Sequence, residues 1–498
     1  MSVWLSPRQL AETEPAERRA CASPIPTHVV SNGEYVPPSQ TVQQRRVEGE
    51  TAELADRFAK PLGMTRRRFL QTSCGMAATF LAMNRVYGGL FSVASAEAAD
   101  PAAAAERVAA LRGQFVFDVQ NHFVRDDFTW DGILALGEYA KRWNPLLKEE
   151  GVTMRRYKFE NYLKEVYLDS DTKVALLSAA PSDTPDNWIL NNDQLARARA
   201  IVNELAGSRR LLCHAVLTPG QRGWLAEIDR CIEEVKPDSW KGYTVGDPLA
   251  YSLWPWRLDD EKLLYPAYEK MAKAGIRNVC IHKGLMPADY ATSFPNWKFA
   301  RVDDVGQAAK DWPQLNFIIY HSALKPFLTP PDENLAAFEA TGRMDWVSDL
   351  ADIPARYSVT NVYAELGTAF ASSAVTHPRH CAAMLGVLIK GMGGDRVLWG
   401  TDAVWYGSPQ WQIEAFRRLE IPEEMRQQRG FAALGPADGA LKRAILGANA
   451  ARLYGLDLHA AYAPAQFEAD QLAAVKRDYH IAGPARSNAY YGFVRRRA

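Results

Sequence analysis

Three strand-like runs in the C-terminal half each end in a side chain able to hold a metal. They are Ile276–His282, Asn316–His321 and Arg396–Asp402. Upstream, residues 114–122 have the same form and end in His122, with Gln120 two positions earlier. A buried strand of a parallel barrel is a short, nearly continuous apolar run. In such barrels the residues at the strand C-termini line the active site. Three imidazoles (His122, His282, His321) and the Asp402 carboxylate at one rim would form a nitrogen and oxygen cage for a divalent cation.

That chemistry needs a scaffold that brings distant segments together, and the chain supplies one. After residue 104 apolar runs alternate with amphipathic stretches, as β/α units do. The strand reading is Phe115–Asn121, Lys173–Ser178, Leu211–Leu217, Gly242–Val245, Ile276–Ile281, Phe317–Tyr320, Val362–Glu365 and Val397–Gly400. The run at 242–245 is the faintest. Helical patterns fall between them at Asn192–Leu205, Leu263–Ala274, Val305–Trp312, Asp345–Ile353 and Arg379–Lys390, with Gly207 and Gly275 at helix-stop positions. Eight strands in one alternation predict an α/β fold, a closed (β/α)8 TIM barrel.

The barrel is expected over 100–456, inside a chain of 498 residues. Residues 1–63 mix Pro, Gly, Ser and charge without periodicity and are expected to be disordered. Residues 64–99 carry Arg66 and Arg67, then Phe-Leu, a moderate apolar stretch and small residues near Ser92–Ala99. These are the parts of a twin-arginine (Tat) export signal, with the Tat machinery as partner and a periplasmic or extracellular destination. Residues 457–498 form a tail with one helical pattern at Phe467–Arg477.

Equal numbers of basic and acidic residues, 58 each, give no electrostatic case for nucleic acid. No uninterrupted apolar stretch of about 20 residues argues for a stable membrane span. The six cysteines lack paired spacing, and Cys213 and Cys280 sit in apolar runs as buried thiols rather than disulfide partners.

The residues quoted resemble the amidohydrolase-related family, in the branch that also holds non-oxidative decarboxylases of the aminocarboxymuconate-semialdehyde type. The family opens with an Asp-x-His-x-His strand, which here reads Asp118-Val119-Gln120-Asn121-His122. Its fifth and sixth strands end in His, matching His282 and His321, and its eighth matches Trp399-Gly400-Thr401-Asp402. Its closing helix resembles Ile445–Tyr454. One position departs: Gln120 stands where the family has His or Glu, and its neutral amide oxygen is a weaker partner for zinc than imidazole.

The resemblance implies one divalent metal, zinc or manganese, held by His122, His282 and Asp402 with Gln120 close by. Three protein ligands and an open position are the usual catalytic zinc arrangement. It further implies that His321 manages a proton, that Asp402 doubles as a base, and that Glu365 orients a ligand from behind. Lys283, beside His282, is a candidate for a substrate carboxylate. Trp254 and Trp256, in the aromatic loop after the fourth strand, and Trp405 are candidates to wall a flat pocket.

The leading expectation is a metal-dependent hydrolase of a small ester, lactone or amide. The alternative is a metal-dependent non-oxidative decarboxylase of an aromatic or unsaturated acid. A metal-free barrel that only binds a ligand is the reading of another class. The substrate is a small molecule in the first two, and a homodimer stays open.

Overall fold

The structure is a computed structural model and describes residues 7–16, 23–125, 157–248, 251–285, 290–293, 295–325, 331–482 and 492–496. Its centre is a sheet of eight parallel strands in sequence order. They are β1 (Phe117–Asn121), β2 (Val174–Leu177), β3 (Leu211–Val216), β4 (Ser239–Tyr243), β5 (Asn278–His282), β6 (Asn316–Tyr320), β7 (Val362–Glu365) and β8 (Val397–Leu398). The last strand returns to the first through Val119 N–H to Trp399 O (3.0 Å) and Asp402 N–H to Gln120 O (2.8 Å). The expected (β/α)8 barrel is therefore the fold. Every residue of β2 and β3 is buried, which is why these strands carry no polar alternation. Phe117, Val119, Leu176, Leu212 and Ile318 pack together as one cluster against Ala450 and Ala451 of the closing helix.

Helices follow the strands where the periodicity placed them. Asn192–Ala206 ends at Gly207, whose φ of 65° lies in the left-handed region that favours glycine. Pro378–Met392 is the longest of the others named above. The weakest strand reading was shifted: β4 runs over Ser239–Tyr243 and shares only two residues with Gly242–Val245. A polar start and a buried Lys241 break the apolar run that marks its neighbours. His377, at the start of the helix Pro378–Met392, and His380 within it are buried, and Gln44 of the N-terminal region packs on His377 at 3.2 Å.

The N-terminal region also departs from expectation. Residues 42–59 form an 18-residue helix, Val42–Ala59, opened by a capping box between Thr41 and Gln44. Its buried face includes Gln44 and Thr51, so the pattern of a conventional apolar stripe is missing from the sequence. The segment read as an export signal folds into helices Arg66–Leu70 and Ser73–Tyr87. Phe80 and Met83 join the same hydrophobic core as the barrel helices, whereas Arg66 and Arg67 are exposed. Among the described residues no helix is long and apolar enough to cross a membrane.

The two ends of the chain meet. Thr13–Pro15 pairs antiparallel with Phe493–Arg495, and Ser31 bridges Phe493 through backbone bonds of 2.8 and 2.9 Å. The tail carries two helices, Pro464–Ala469 and Gln471–Ile481, where one was expected. Five of the six cysteines, Cys74, Cys213, Cys231, Cys280 and Cys381, are free and buried, and Cys21 lies outside the described residues.

Candidate active site

Strands β1, β5, β6 and β8 finish at one rim, and their terminal side chains meet there. His122 Nε2 stands 3.0 Å from Asp402 Oδ1. Gln120 Nε2 donates to Asp402 Oδ1 at 3.1 Å and lies 3.3 Å from His321 Nε2. His321 Nε2 is in turn 3.2 Å from His282 Nδ1. All five residues are buried. Among the described residues no three His, Cys, Asp or Glu side chains are spaced as a ready cage. The donors are in mutual contact instead, with His282 reached through His321.

Backbone carbonyls decide which ring nitrogens carry protons. His122 Nδ1 faces Ser178 O at 3.0 Å and His321 Nδ1 faces Gly367 O at 2.8 Å. A carbonyl only accepts, so both Nδ1 atoms are N–H and each Nε2 is left with its lone pair in the neutral ring. This is the orientation that metal-bound imidazoles take. It also leaves His122 Nε2 facing a carboxylate oxygen, two acceptors that a metal ion, or an added proton on the ring, would reconcile. Gln120 Oε1 is buried and has no hydrogen-bond partner. Lone pairs, a carboxylate and an orphaned amide oxygen fit the chemistry of a divalent cation.

Electrostatics follow from burial and the neighbours. Burial pushes the Asp402 carboxyl up, but His122, His321 and the Thr368 hydroxyl outweigh it and hold it at about 2. Burial lowers His321 to about 4 and drives His282 well below the usual imidazole value, aided by repulsion from His321. Glu365 at the end of β7 is raised by burial to about 8. It accepts from the backbone N–H of His321 (3.0 Å) and of Gly367 (2.5 Å). It thus fixes the turn in which His321, Ser322 and Ala323 all take positive φ, at 62°, 50° and 54°. Asp402 also takes positive φ, 57°, and such strain gathers where a fold over-determines a functional geometry.

Two further residues come from outside the barrel. Asn32 and Glu34 reach the same cavity, which Gln120, His122, His321, Asp402, Tyr243 and Trp405 also line. Asn32 Nδ2 lies 3.4 Å from Asp402 Oδ2, and Glu34 Oε1 lies 3.9 Å from His282 Nε2. Sequence reading missed both because they sit in a region expected to be disordered. The one local sign was the Asn-Gly pair at 32–33, a turn signal.

Some expected contributors are elsewhere. Lys283 is fully buried, and its ammonium is taken up by Asp304 (2.8 and 2.9 Å) and Phe299 O (2.8 Å), so it offers no free cation at the rim. Successive strand residues face opposite ways, which sends Lys283 away from His282. Trp256 packs over Gly242 and Trp254 over Gly220, and neither lines the cavity. Trp405 does, with its ring 6.0 Å from that of His122. Tyr243 stacks on His282 at 4.7 Å. His214 is a core residue bonded to Tyr320 Oη and Ser239 Oγ, each at 2.8 Å.

The amidohydrolase family model matches residues 117–456, which take in every rim strand. No curated protein matches the chain. Similar solved structures include an uncharacterized TIM-barrel protein from Bordetella bronchiseptica, 14% identical over 68% of this chain and 98% of that one, with a TM-score of 0.42. The 2,6-dihydroxybenzoate decarboxylase from Rhizobium is 16% identical over 69% and 99%, TM-score 0.40. A 5-carboxyvanillate decarboxylase from Novosphingobium aromaticivorans, with bound manganese, is 14% identical over 69% and 98%, TM-score 0.40.

Proposed function

Because the chain belongs to the amidohydrolase family of enzymes, we propose that it is a metal-dependent, non-oxidative decarboxylase of an aromatic or unsaturated carboxylic acid. The carrying observation is how completely Asp402 is engaged. Oδ1 meets His122 and Gln120, and Oδ2 meets Asn32 and the Thr368 hydroxyl. A carboxylate that accepts from Gln120, Asn32 and Thr368 and is held at about 2 is a poor base for activating water at neutral pH. It is well suited to hold a cation instead.

His122 Nε2, His282, Asp402 and the Gln120 amide oxygen are the side chains that would hold the ion. When bound, the ion would supply Lewis-acid stabilisation of negative charge on the substrate. Ala180, Ile189, Pro248 and Trp405 give the cavity an apolar wall suited to a flat ring. His321 Nε2 faces the cavity with its lone pair, so a proton taken up from solvent on that atom would be placed to pass to the ring carbon. The balance closes: the carbon–carboxylate bond breaks, carbon keeps the electron pair, and one proton is taken up.

Hydrolysis of an ester, lactone or amide is the second reading, favoured by the polar side of the same cavity, where Asp402, His321 and Gln120 face space a water can fill. One experiment separates the two. Protein loaded with manganese or zinc is given 2,6-dihydroxybenzoate and 5-carboxyvanillate, then simple lactones in H2(18)O. Carbon dioxide release without (18)O in the organic product supports decarboxylation. Label uptake from lactones with no carbon dioxide from either acid overturns it in favour of hydrolysis.

Export by the twin-arginine route is proposed on the exposed Arg66–Arg67 pair ahead of the apolar helix Ser73–Tyr87, with the segment kept uncleaved, since Phe80 and Met83 pack in the core and Asn32 and Glu34 line the cavity. Full-length protein with both arginines changed to Lys should stay in the cytoplasm. Unchanged export of the double variant would remove the proposal.

A further inference from the structure

Glu34 and Asp402 both line the cavity and share Asn32 Nδ2 as a donor, and two carboxyl groups so placed must either keep a proton or take up a cation. Glu34 is held by a built turn. Its Oε2 accepts from Asn32 Nδ2 at 2.6 Å, and its backbone N–H donates to Asn32 Oδ1 at 3.1 Å. Gly33, at φ 103°, donates its N–H to Ser31 Oγ (3.0 Å), and that hydroxyl donates to Tyr35 O (2.5 Å). The turn is tied down by the Ser31–Phe493 bridge. Tyr35, 2% exposed, anchors its other side.

This geometry aims Glu34 Oε1 at His282. His282 Nδ1 donates to His321, whose own Nδ1 proton is committed to Gly367 O, so His282 Nε2 carries a lone pair. The two acceptors stand 3.9 Å apart. That is too long for a hydrogen bond, yet two metal–ligand bonds of about 2.1 Å span it. The buried ammonium of Lys241 is not hydrogen-bonded to either. It lies over the rings of Tyr320 (3.6 Å) and Tyr243 (4.9 Å) and makes no hydrogen bond. Meanwhile the first-strand position offers only the neutral, unpartnered oxygen of Gln120.

We propose that Glu34, carried on the N-terminal turn outside the barrel, is the anionic metal ligand that the first strand does not provide, and that Asn32 positions it against Asp402. The inference rests on the metal-site reading above, with the charge at Gln120's position restored from a different part of the chain. Asn32 is a positioning residue; Glu34 is the ligand.

The test is metal binding, not turnover. Full-length wild type, Glu34→Gln, Glu34→Asp and Asn32→Ala are titrated with Mn2+ and Zn2+ by calorimetry, with elemental analysis of dialysed protein. Wild type is expected to bind one equivalent, Glu34→Gln to bind at least about 10-fold more weakly, and Asn32→Ala to fall between. Glu34→Asp should recover part of the loss. If wild type binds no metal, the metal-site reading itself fails. If wild type binds and Glu34→Gln binds equally well, the reading stands and Glu34 is overturned as a ligand. Wild type alone gives a second readout that no misfolded variant can spoil. Carbodiimide labelling of Glu34, followed by peptide mapping, should be suppressed by one equivalent of Mn2+. Equal labelling with and without the ion counts against the proposal.

Discussion

The imidazole of His122 and the carboxylate of Asp402 face one another at 3.0 Å, nitrogen lone pair to oxygen, across the seam where the last strand rejoins the first. A proton or a metal ion between them reconciles that pair. Asp402→Asn removes the charge while keeping the shape. Metal affinity should drop, and kcat on whichever acid proves to be the substrate should fall by at least about 100-fold. Calorimetry and steady-state assay on the same preparation check both.

Glu365 predicts a pH dependence with a definite sign. Its folded value of about 8 lies above the ordinary 4.5, so the native chain holds a proton that the unfolded chain releases. Its contribution is complete below about 4.5 and is lost as pH rises through about 8. His321, lowered from 6.5 to about 4, acts in the opposite sense: stability is lost as pH falls from about 6.5 toward about 4. Metal-free Glu365→Gln should be less stable than wild type at pH 6, because its amide faces the N–H groups of His321 and Gly367. It should nonetheless lose less melting temperature between pH 6 and pH 9, by at least about 2 °C. Parallel melting curves for the two proteins would remove Glu365 as the titrating group.

Gly400 has no room for a side chain. A Cβ there would lie 1.7 Å from Glu365 Oε1. Gly400→Ala should therefore cost about 1–3 kcal/mol in urea unfolding and disturb His321 through Glu365. A neutral result would mean that Glu365 is free to move.

Lys283 and Asp304 are both almost completely buried, and each satisfies the other. Lys283→Met leaves an uncompensated carboxylate and should destabilise the fold by about 3–5 kcal/mol. Pairing it with Asp304→Asn should restore much of the loss. The same variants distinguish a packing role from a substrate role, since rescue by the partner change is not expected of a substrate clamp.

The rim was legible because four buried strands advertise themselves as apolar runs and each stops at a polar residue that cannot belong to the run. His122, His282, His321 and Asp402 were found that way, and Glu365 through the family it resembles. Lys283 was misjudged because adjacency along a strand means opposite faces, not shared ones. Trp254 and Trp256 were misjudged because a loop's aromatic content does not say which surface it covers. Asn32 and Glu34 left no periodic trace at all. Their placement depends on a backbone bridge to the far end of the chain, and long-range pairing of that kind has no local signature.

That bridge sets an order of events. During synthesis the turn at Ser31 leaves the ribosome long before Phe493 is made, so the barrel can wind up while the segment that crosses its mouth still has nothing to clasp it. A polypeptide stopped short of its last strand keeps every rim donor and loses the latch.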